Sequence, residues 1–391
     1  MRRTSLALLL AALLVVVSAC GSEEEPDTTA AAPQTTAAPQ TTAATPATEA
    51  PADEAPTTTA APTTTTATTQ AEEPMEPVTV TLYVGGVTSS APQDYAAQAQ
   101  GFFEAANIDI EVVALDGTSQ AVQAVAADRS GFAYTQGSIL DEMLIADRNP
   151  DAPPLIAISA GAMRNPVALM FLEGKGISTP ADLLGKTIAA PQGSLSALYL
   201  DVFLEAQGVS KDDVTIQNIG FGALNPALLT GQVDAIVAFA RAIASLSIVA
   251  PEQGDTIGAF LFAEFGIAAP MTGVVIQKRL LDEHPDVARA IAEVTTRSLH
   301  FCAVNAEECV TDFITINDGR DFDQTLAEWK VALEAQYGID PEDAAGMDPL
   351  ALGWFDPDLI AETLPSLRLL FEIEKDFDPT TLYTNEFVSE P

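Results

Sequence analysis

The feature that most constrains the fold of this chain is an order of strands and helices that occurs twice. In the first copy, an apolar run at 78–84 precedes a small-residue loop, a helix with proline in its first turn, and an alternating strand at 109–115. In the second copy, a strand at 187–190 precedes a loop, a helix and a further strand at 214–219. This alternation favours parallel sheets with right-handed crossovers. The sequence therefore predicts an α/β protein with two doubly wound lobes and a central cleft.

The loops that follow these strands carry small polar residues in both copies. The first loop reads Gly85-Gly86-Val87-Thr88-Ser89-Ser90, and the second reads Pro191-Gln192-Gly193-Ser194. In open α/β sheets, ligands bind outside the carboxyl ends of the strands, where helix N-termini offer unpaired N–H groups. Because small residues let main-chain amides approach a ligand closely, the loops predict a small-molecule cleft. For any one loop alone, a plain tight turn is the alternative.

Polar and aromatic residues near these strand ends are the candidates for ligand contact. From the first lobe they are Thr88, Ser89, Thr118, Ser119, Tyr134, Thr135, Gln136, Ser138 and Arg164. From the second lobe they are Gln192, Ser194, Phe221, Phe239 and Arg241. Tyr134 and Phe221 either sandwich a flat ligand or pack in the core.

Arg241 is the candidate with the most specific chemistry. It follows the apolar strand that ends at Phe239-Ala240, so we expect it to emerge at the cleft. A guanidinium there can hold a sulfonate, carboxylate or phosphate through two parallel hydrogen bonds. A salt bridge to a nearby acid is the alternative role. Arg164, which lies before an apolar strand, is the second choice.

The first 77 residues differ from the rest of the chain. Met1-Arg2-Arg3 precedes an apolar run at 6–17, the layout of a secretion signal. The run is too short for a transmembrane helix, which needs about 20 residues. It ends in Val17-Ser18-Ala19-Cys20, which resembles the lipobox of bacterial lipoproteins, with Cys20 as the lipidated residue; an ordinary cleaved signal is the alternative. Residues 21–77 are rich in Thr, Ala and Pro and predict a disordered linker.

Charge, cysteine and histidine content limit the function. The chain has 55 acidic and 17 basic residues, which argues against nucleic acid and against adsorption to anionic lipid. With Cys20 lipidated, Cys302 and Cys309 remain as a disulfide or as two buried thiols. His284 and His300 lie on predicted helices away from the loops, and the sequence has no metal-spaced cluster, P-loop or nucleophile motif. We therefore expect no enzyme, cofactor or metal.

Three segments resemble a known family. The first contains Gly101-Phe102-Phe103-Glu104 followed by Ile108-Asp109-Ile110-Glu111-Val112, the second runs from Ile177 to Ile188 through Asp182-Leu183-Leu184-Gly185-Lys186, and the third is Gly231-Gln232-Val233-Asp234-Ala235. They are similar to the SsuA/THI5-like solute-binding family, whose members take nitrate, sulfonates, taurine or thiamine pyrimidines.

The resemblance implies a type II periplasmic-binding-protein fold. Lobe 1 would comprise residues 78–170 and 273–391, with bracing helices near the C-terminus, and lobe 2 would comprise 171–272. Two strands near 167–171 and 272–276 would cross between the lobes.

The resemblance also implies a function. We expect a monomeric solute-binding protein of an ABC importer, lipid-anchored at the outer face of a bacterial cell membrane, which closes on a small molecule and delivers it to a permease and ATPase complex. Sulfonates, nitrate-like anions and thiamine-pyrimidine or riboflavin-type rings stay open as ligands. The alternatives are a surface ligand sensor and an enzyme of the same fold in cofactor biosynthesis, although the family's pyrimidine-making enzymes depend on a cysteine-rich motif that this sequence lacks.

Overall fold

The first strand begins at Val78, where the polar N-terminal segment ends. The structure is a computed structural model that describes residues 75–85, 91–115, 117–191, 194–267 and 271–391. Several predicted features lie outside the described residues: Cys20, all but the last three residues of the predicted linker, Thr88, Ser89 and Gln192. Within the described ranges, no helix has the length and apolar character needed to cross a membrane.

Ten strands form two five-stranded sheets in the described part of the chain. The strands are β1 (Val78–Val84), β2 (Ile108–Ala114), β3 (Ala133–Ser138), β4 (Leu155–Ala160), β5 (Val167–Leu172), β6 (Thr187–Ala190), β7 (Thr215–Asn218), β8 (Ala235–Phe239), β9 (Ile257–Leu261) and β10 (Thr272–Gln277). The first sheet has the order β2-β1-β3-β10-β4, and the second has the order β7-β6-β8-β5-β9. The two sheets thus share one arrangement, which confirms the duplicated α/β pattern.

Each sheet contains one antiparallel strand that the repeat does not predict. β1 pairs in parallel with β2 and β3, while β10 runs antiparallel between β3 and β4. Likewise β6 pairs in parallel with β7 and β8, while β5 runs antiparallel between β8 and β9. The sheets are therefore mixed, and the expectation of wholly parallel sheets is wrong.

β5 and β10 are also the segments expected to cross between the lobes. β5 instead pairs along its length inside the second sheet, from Val167 opposite Phe239 to Phe171 opposite Ala235. Its residues are buried on both faces, the pattern of an interior strand. β10 pairs inside the first sheet in the same way. The chain therefore passes between the sheets just before these strands, after β4 and after β9.

Helices cover the faces of both sheets. They are α1 (Gln93–Ala99), α2 (Phe102–Ala105), α3 (Thr118–Ala127), α4 (Ile139–Arg148), α5 (Leu195–Ala206), α6 (Phe221–Leu229), α7 (Ala242–Val249), α8 (Lys278–Glu283), α9 (Pro285–Val304), α10 (Ala306–Ile316), α11 (Phe322–Ala332) and α12 (Pro357–Leu370). A π-helical turn, Leu333–Tyr337, continues α11. Below, lobe 1 means the first sheet with α1 to α4, and lobe 2 means the second sheet with α5 to α7.

The apolar core lies on both faces of each sheet. Lobe 1 packs Val80 and Ile276 against Ile291 of α9 on one face, and packs α3 and α4 on the other. In lobe 2, Leu169 packs with Phe203 of α5, and Met170 packs on the opposite face with Leu228 of α6. These layers fix the sheet edges from which the loops and helix starts project.

The C-terminal helices form a separate cluster around Trp329, which is fully buried. The indole Nε1 of Trp329 donates a hydrogen bond of 2.8 Å to the carbonyl oxygen of Cys302. A disulfide joins Cys302 to Cys309, with 5.1 Å between their Cα atoms. The end of α9 is thereby tied to the start of α10.

Candidate functional site

A cavity of about 630 Å³ is lined by residues from both lobes. Lobe 1 contributes residues at the end of β1, in α1, at the start of α3 and at the end of β3, and lobe 2 contributes Leu198, Phe239 and Arg241. Gln336, Tyr337 and Phe371 reach it from the C-terminal helical region. Its volume falls in the usual range for small-molecule sites, about 300–1,000 Å³.

The lobe 1 wall follows from the close approach of β1 to α3. A Cβ atom added to Gly85 would lie 2.4 Å from the Cα atom of Thr118 and 2.5 Å from its backbone nitrogen. Because the obstacle is backbone, a side chain at Gly85 would push the strand end away from the helix start. Glycine there places Thr118 and Ser119 on the cavity wall.

Asp141 organises the serines of this wall. Ser119 Oγ and Ser138 Oγ each donate a hydrogen bond of 2.6 Å to the Asp141 carboxylate, one to each oxygen. The Ser138 hydroxyl also accepts the backbone N–H of Asp141 at 3.0 Å, which caps α4. These contacts hold both serines in place and occupy the Asp141 carboxylate.

A second acid, Asp94, lies in the first turn of α1 and is only 8% exposed. Burial raises the pKa of its carboxyl to about 7, and a hydrogen bond with the Gln136 side chain opposes this effect. α1 is fixed from behind, because Ser298 Oγ donates to the backbone oxygen of Gln93 at 2.7 Å and Tyr95 packs edge-on against Phe313.

The side chains beside Asp94 are buried and partly without partners. Gln93 donates through Nε2 to the Tyr337 hydroxyl at 2.8 Å. Gln93 Oε1 is buried and has no hydrogen-bond partner, although Gln93 lines the cavity. The same holds for Thr135 Oγ1, which lies on the opposite face of β3. Burial, and the negative charge of Asp94, raise the pKa of Tyr337. This part of the wall is therefore rich in acceptor atoms.

The lobe 2 wall carries a positive charge, whereas the lobe 1 wall carries the acids Asp94 and Asp141. Arg241 precedes α7 as its N-cap residue, and its guanidinium carbon lies 5.2 Å from the centre of the Phe239 ring at the end of β8. Burial lowers the pKa of Arg241, while the nearby charge of Glu328 raises it and that of Arg320 lowers it. Arg241 is the one cationic residue among the described lining residues.

Seven of the residues predicted for ligand contact line this cavity. They are Thr118, Ser119, Thr135, Gln136, Ser138, Phe239 and Arg241. Whether they touch a ligand stays a prediction.

Four described candidates lie elsewhere. Tyr134 is 1% exposed and packs in the lobe 1 core opposite Leu82 of β1, two residues before Gln136, which lies on the same face and reaches the cavity. Phe221, at the start of α6, is 52% exposed and lines a neighbouring cavity of about 350 Å³, which shares Phe239 and Arg241 with the first. The predicted sandwich of a flat ligand between Tyr134 and Phe221 is therefore not formed.

The other two have structural partners. Arg164 is exposed, and its Nη1 atom donates to the backbone oxygen of Glu334 at 3.3 Å. Its guanidinium also packs against Gly338, where an added Cβ atom would lie 2.8 Å from the Arg164 Nε atom. The Ser194 hydroxyl accepts the backbone N–H of Ala197 at 3.1 Å and caps α5. Neither residue lines the cavity described above.

Sequence reasoning missed several lining residues, among them Gln93, Asp94, Asp141 and Tyr337. Gln93 and Asp94 could have been predicted from the sequence. They are polar residues in the first helical turn after the small-residue loop that follows β1, and such a turn lies at the same strand ends as the loop. Tyr337 could not have been predicted, since it lies 244 residues after Gln93 and reaches the cavity only through the tertiary fold.

The sequence matches known proteins along most of the described chain. The NMT1/THI5 like family model matches residues 90–309, more than half of the chain. The riboflavin-binding protein RibY of Chloroflexus aurantiacus is 25% identical over 307 residues, which cover 75% of this chain and 81% of RibY. The formylaminopyrimidine-binding protein of Halalkalibacterium halodurans is 24% identical over 230 residues, 58% of this chain and 67% of that protein.

A solved structure has the same fold. The periplasmic aliphatic sulphonate binding protein SsuA from Escherichia coli superposes with a TM-score of 0.56 at 13% identity, covering 78% of this chain and 97% of SsuA. At this identity the likeness establishes the fold alone. The family match and the duplicated sheets together confirm the resemblance seen in the sequence, and the chain belongs to the NMT1/THI5-like family.

Proposed function

We propose that this chain is the solute-binding component of an ABC importer, which captures one small molecule between its lobes and presents it to a membrane permease. The observation that carries the proposal is the composition of the cavity wall. Asp94 and Thr135 come from lobe 1, and Phe239 and Arg241 come from lobe 2. A molecule that fills this space therefore contacts both lobes.

Such contacts explain how binding would be signalled. A ligand shifts a conformational equilibrium only by its difference in affinity between the two states. A molecule that contacts both walls gains its full set of interactions only when the lobes are together, so it stabilises the closed arrangement. The proposed signal to the permease is this closure, and no covalent step is required.

The named functions of the relatives support this reading. RibY and the formylaminopyrimidine-binding protein are binding proteins by name, and SsuA is a periplasmic sulphonate-binding protein. Ser119 and Ser138, the hydroxyls that a hydrolase would need to activate, both donate to Asp141, and the described lining residues include neither histidine nor cysteine. We therefore favour a receptor over an enzyme of the same fold, and the solute-binding names of the relatives favour it over a surface sensor.

The N-terminal sequence supports a location outside the cell membrane. The apolar run that ends in Val17-Ser18-Ala19-Cys20 predicts lipidation of Cys20, and the Thr/Ala/Pro-rich segment after it would act as a tether. Labelling of expressing bacteria with a fatty-acid probe tests this. The label should attach to the wild-type protein and be lost in Cys20→Ala; equal labelling of both would exclude the lipid anchor at this position.

Native mass spectrometry of the freshly purified protein tests the receptor proposal. We expect a second species that is heavier than the chain by the mass of one small molecule. Denaturation should release this molecule, and adding it back to the refolded protein should restore the mass shift. Chemical conversion of that molecule by the purified protein would instead support the enzyme. A protein that carries no small molecule, and that shows no rise in melting temperature with any compound of a metabolite library, would contradict the receptor proposal.

A further inference from the structure

We propose that Gln93 and Asp94 form a subsite for an amino or ammonium nitrogen of the transported molecule. The proposal rests on the receptor function above and specifies its substrate class. The ligand would carry a nitrogen with several N–H donors at its lobe 1 end, as in a primary ammonium group or the amino-bearing edge of a heterocycle.

The first support is an atom left without a partner. Gln93 is 3% exposed and lines the cavity. Gln93 uses Nε2 on the Tyr337 hydroxyl, so Oε1, a pure acceptor, is the atom left over. Buried polar atoms are nearly always hydrogen-bonded in folded proteins, so this acceptor in the cavity wall points to a missing donor.

The second support is the carboxyl of Asp94, which follows Gln93 in α1 and also lines the cavity. Its only resolved hydrogen bond among the described residues is with the Gln136 side chain, whereas a carboxylate can accept about four. The other acid of the wall, Asp141, already accepts two serine hydroxyls. Asp94 is therefore the carboxylate with the greater remaining capacity for a ligand's donors.

The chemistry of the subsite excludes an oxyanion at this end. A sulfonate or nitrate offers only acceptors and would face Gln93 Oε1 and the Asp94 carboxylate. An amino or ammonium group offers two or three N–H donors, which can satisfy these acceptors together. Any anionic or aromatic part of the ligand is placed at the lobe 2 end, where Arg241 lies over the Phe239 ring.

Isothermal titration of two matched probe pairs tests the proposal. The first pair is taurine and isethionate, which differ only in an ammonium in place of a hydroxyl. The second is 4-amino-2-methylpyrimidine-5-methanol and its 4-hydroxy analogue. We expect the amino member of at least one pair to bind at least tenfold more tightly than its partner. Tighter binding of the hydroxyl member in the pair that binds would overturn the subsite while leaving the receptor proposal intact.

Variants connect the preference to these residues. Asp94→Asn should weaken the amino probe at least tenfold, about 1.4 kcal/mol, and should abolish the preference over the hydroxyl probe. Gln93→Met removes the unpartnered acceptor and should also weaken the amino probe, while its melting temperature reports any loss of stability from the missing hydrogen bond to Tyr337. The control is Asp182→Asn, an exposed acid in lobe 2 that accepts the backbone N–H groups of Ser178 and Thr179 and lies outside the cavity. Unchanged affinity in both Asp94→Asn and Gln93→Met would refute the assignment.

Discussion

Replacement of Asp94 by asparagine should stabilise the ligand-free protein, and by an amount that grows with pH. Burial raises the pKa of the Asp94 carboxyl from 3.8 to about 7. Between these values the folded protein holds a proton that the unfolded chain has lost, so the free energy of unfolding falls as pH rises. The penalty is absent below pH 3.8 and complete above pH 7, where it reaches about 4 kcal/mol at about 1.4 kcal/mol per pKa unit.

The assay is urea unfolding of wild type and Asp94→Asn at pH 5 and pH 8, with the bound molecule removed. Asparagine has no proton to lose, so the difference between the two proteins should shift in favour of the variant by about 3 kcal/mol from pH 5 to pH 8. Any effect of the amide that does not depend on pH cancels in this double difference.

Asp182→Asn is the matched control. Hydrogen bonds from the backbone N–H groups of Thr179 and Ser178 lower the pKa of the Asp182 carboxyl. The group is therefore ionised in both the folded and the unfolded chain above pH 5. The difference in unfolding free energy between Asp182→Asn and wild type should thus stay constant between pH 5 and pH 8. A difference for Asp94→Asn that is equally flat would refute the claim that burial raises the pKa of the Asp94 carboxyl.

Three further changes have defined outcomes. Arg241→Ala should weaken a ligand with an anionic or aromatic end about tenfold or more while leaving the melting temperature of the free protein nearly unchanged; equal affinity by titration would remove Arg241 from the site. Gly85→Ala should lower both the melting temperature and the affinity, because its Cβ atom would lie 2.4 Å from the Thr118 Cα atom; a wild-type melting curve would contradict this. Cys302→Ala with Cys309→Ala should cost about 2 kcal/mol of unfolding free energy, since the disulfide closes a loop with a sequence separation of 7. Equal unfolding midpoints under oxidising conditions would show that the bond adds no stability.

The repeated strand and helix order was readable from the sequence because it depends on local patterns. The apolar run of β1, the alternation in β2 and the proline before α1 are all local features. The antiparallel strands were not readable, because a run that is buried on both faces looks the same in either direction. β5, with Val167 to Leu172 all buried, is such a run, and only its partners β8 and β9 reveal its place.

The site was predictable where it follows directly from strand ends. Thr135, Gln136 and Ser138 belong to the end of β3, and Phe239 and Arg241 follow from β8. Tyr134 was misplaced because it lies inside the sheet, opposite Leu82, and the carboxyl end of β3 that reaches the cavity begins after it. Tyr337 could not be found, since its position at the cavity depends on how α11 and its π-helical turn pack after long-range folding.

A receptor of the proposed kind holds one molecule between its two lobes. A crystal structure of the protein with its co-purified small molecule tests this most directly. We predict density in the cavity of about 630 Å³, with a ligand nitrogen at hydrogen-bond distance from Asp94 and the far end of the ligand against Phe239 and Arg241. A ligand that contacts residues of only one lobe, or that lies outside this cavity, would contradict the proposed receptor function.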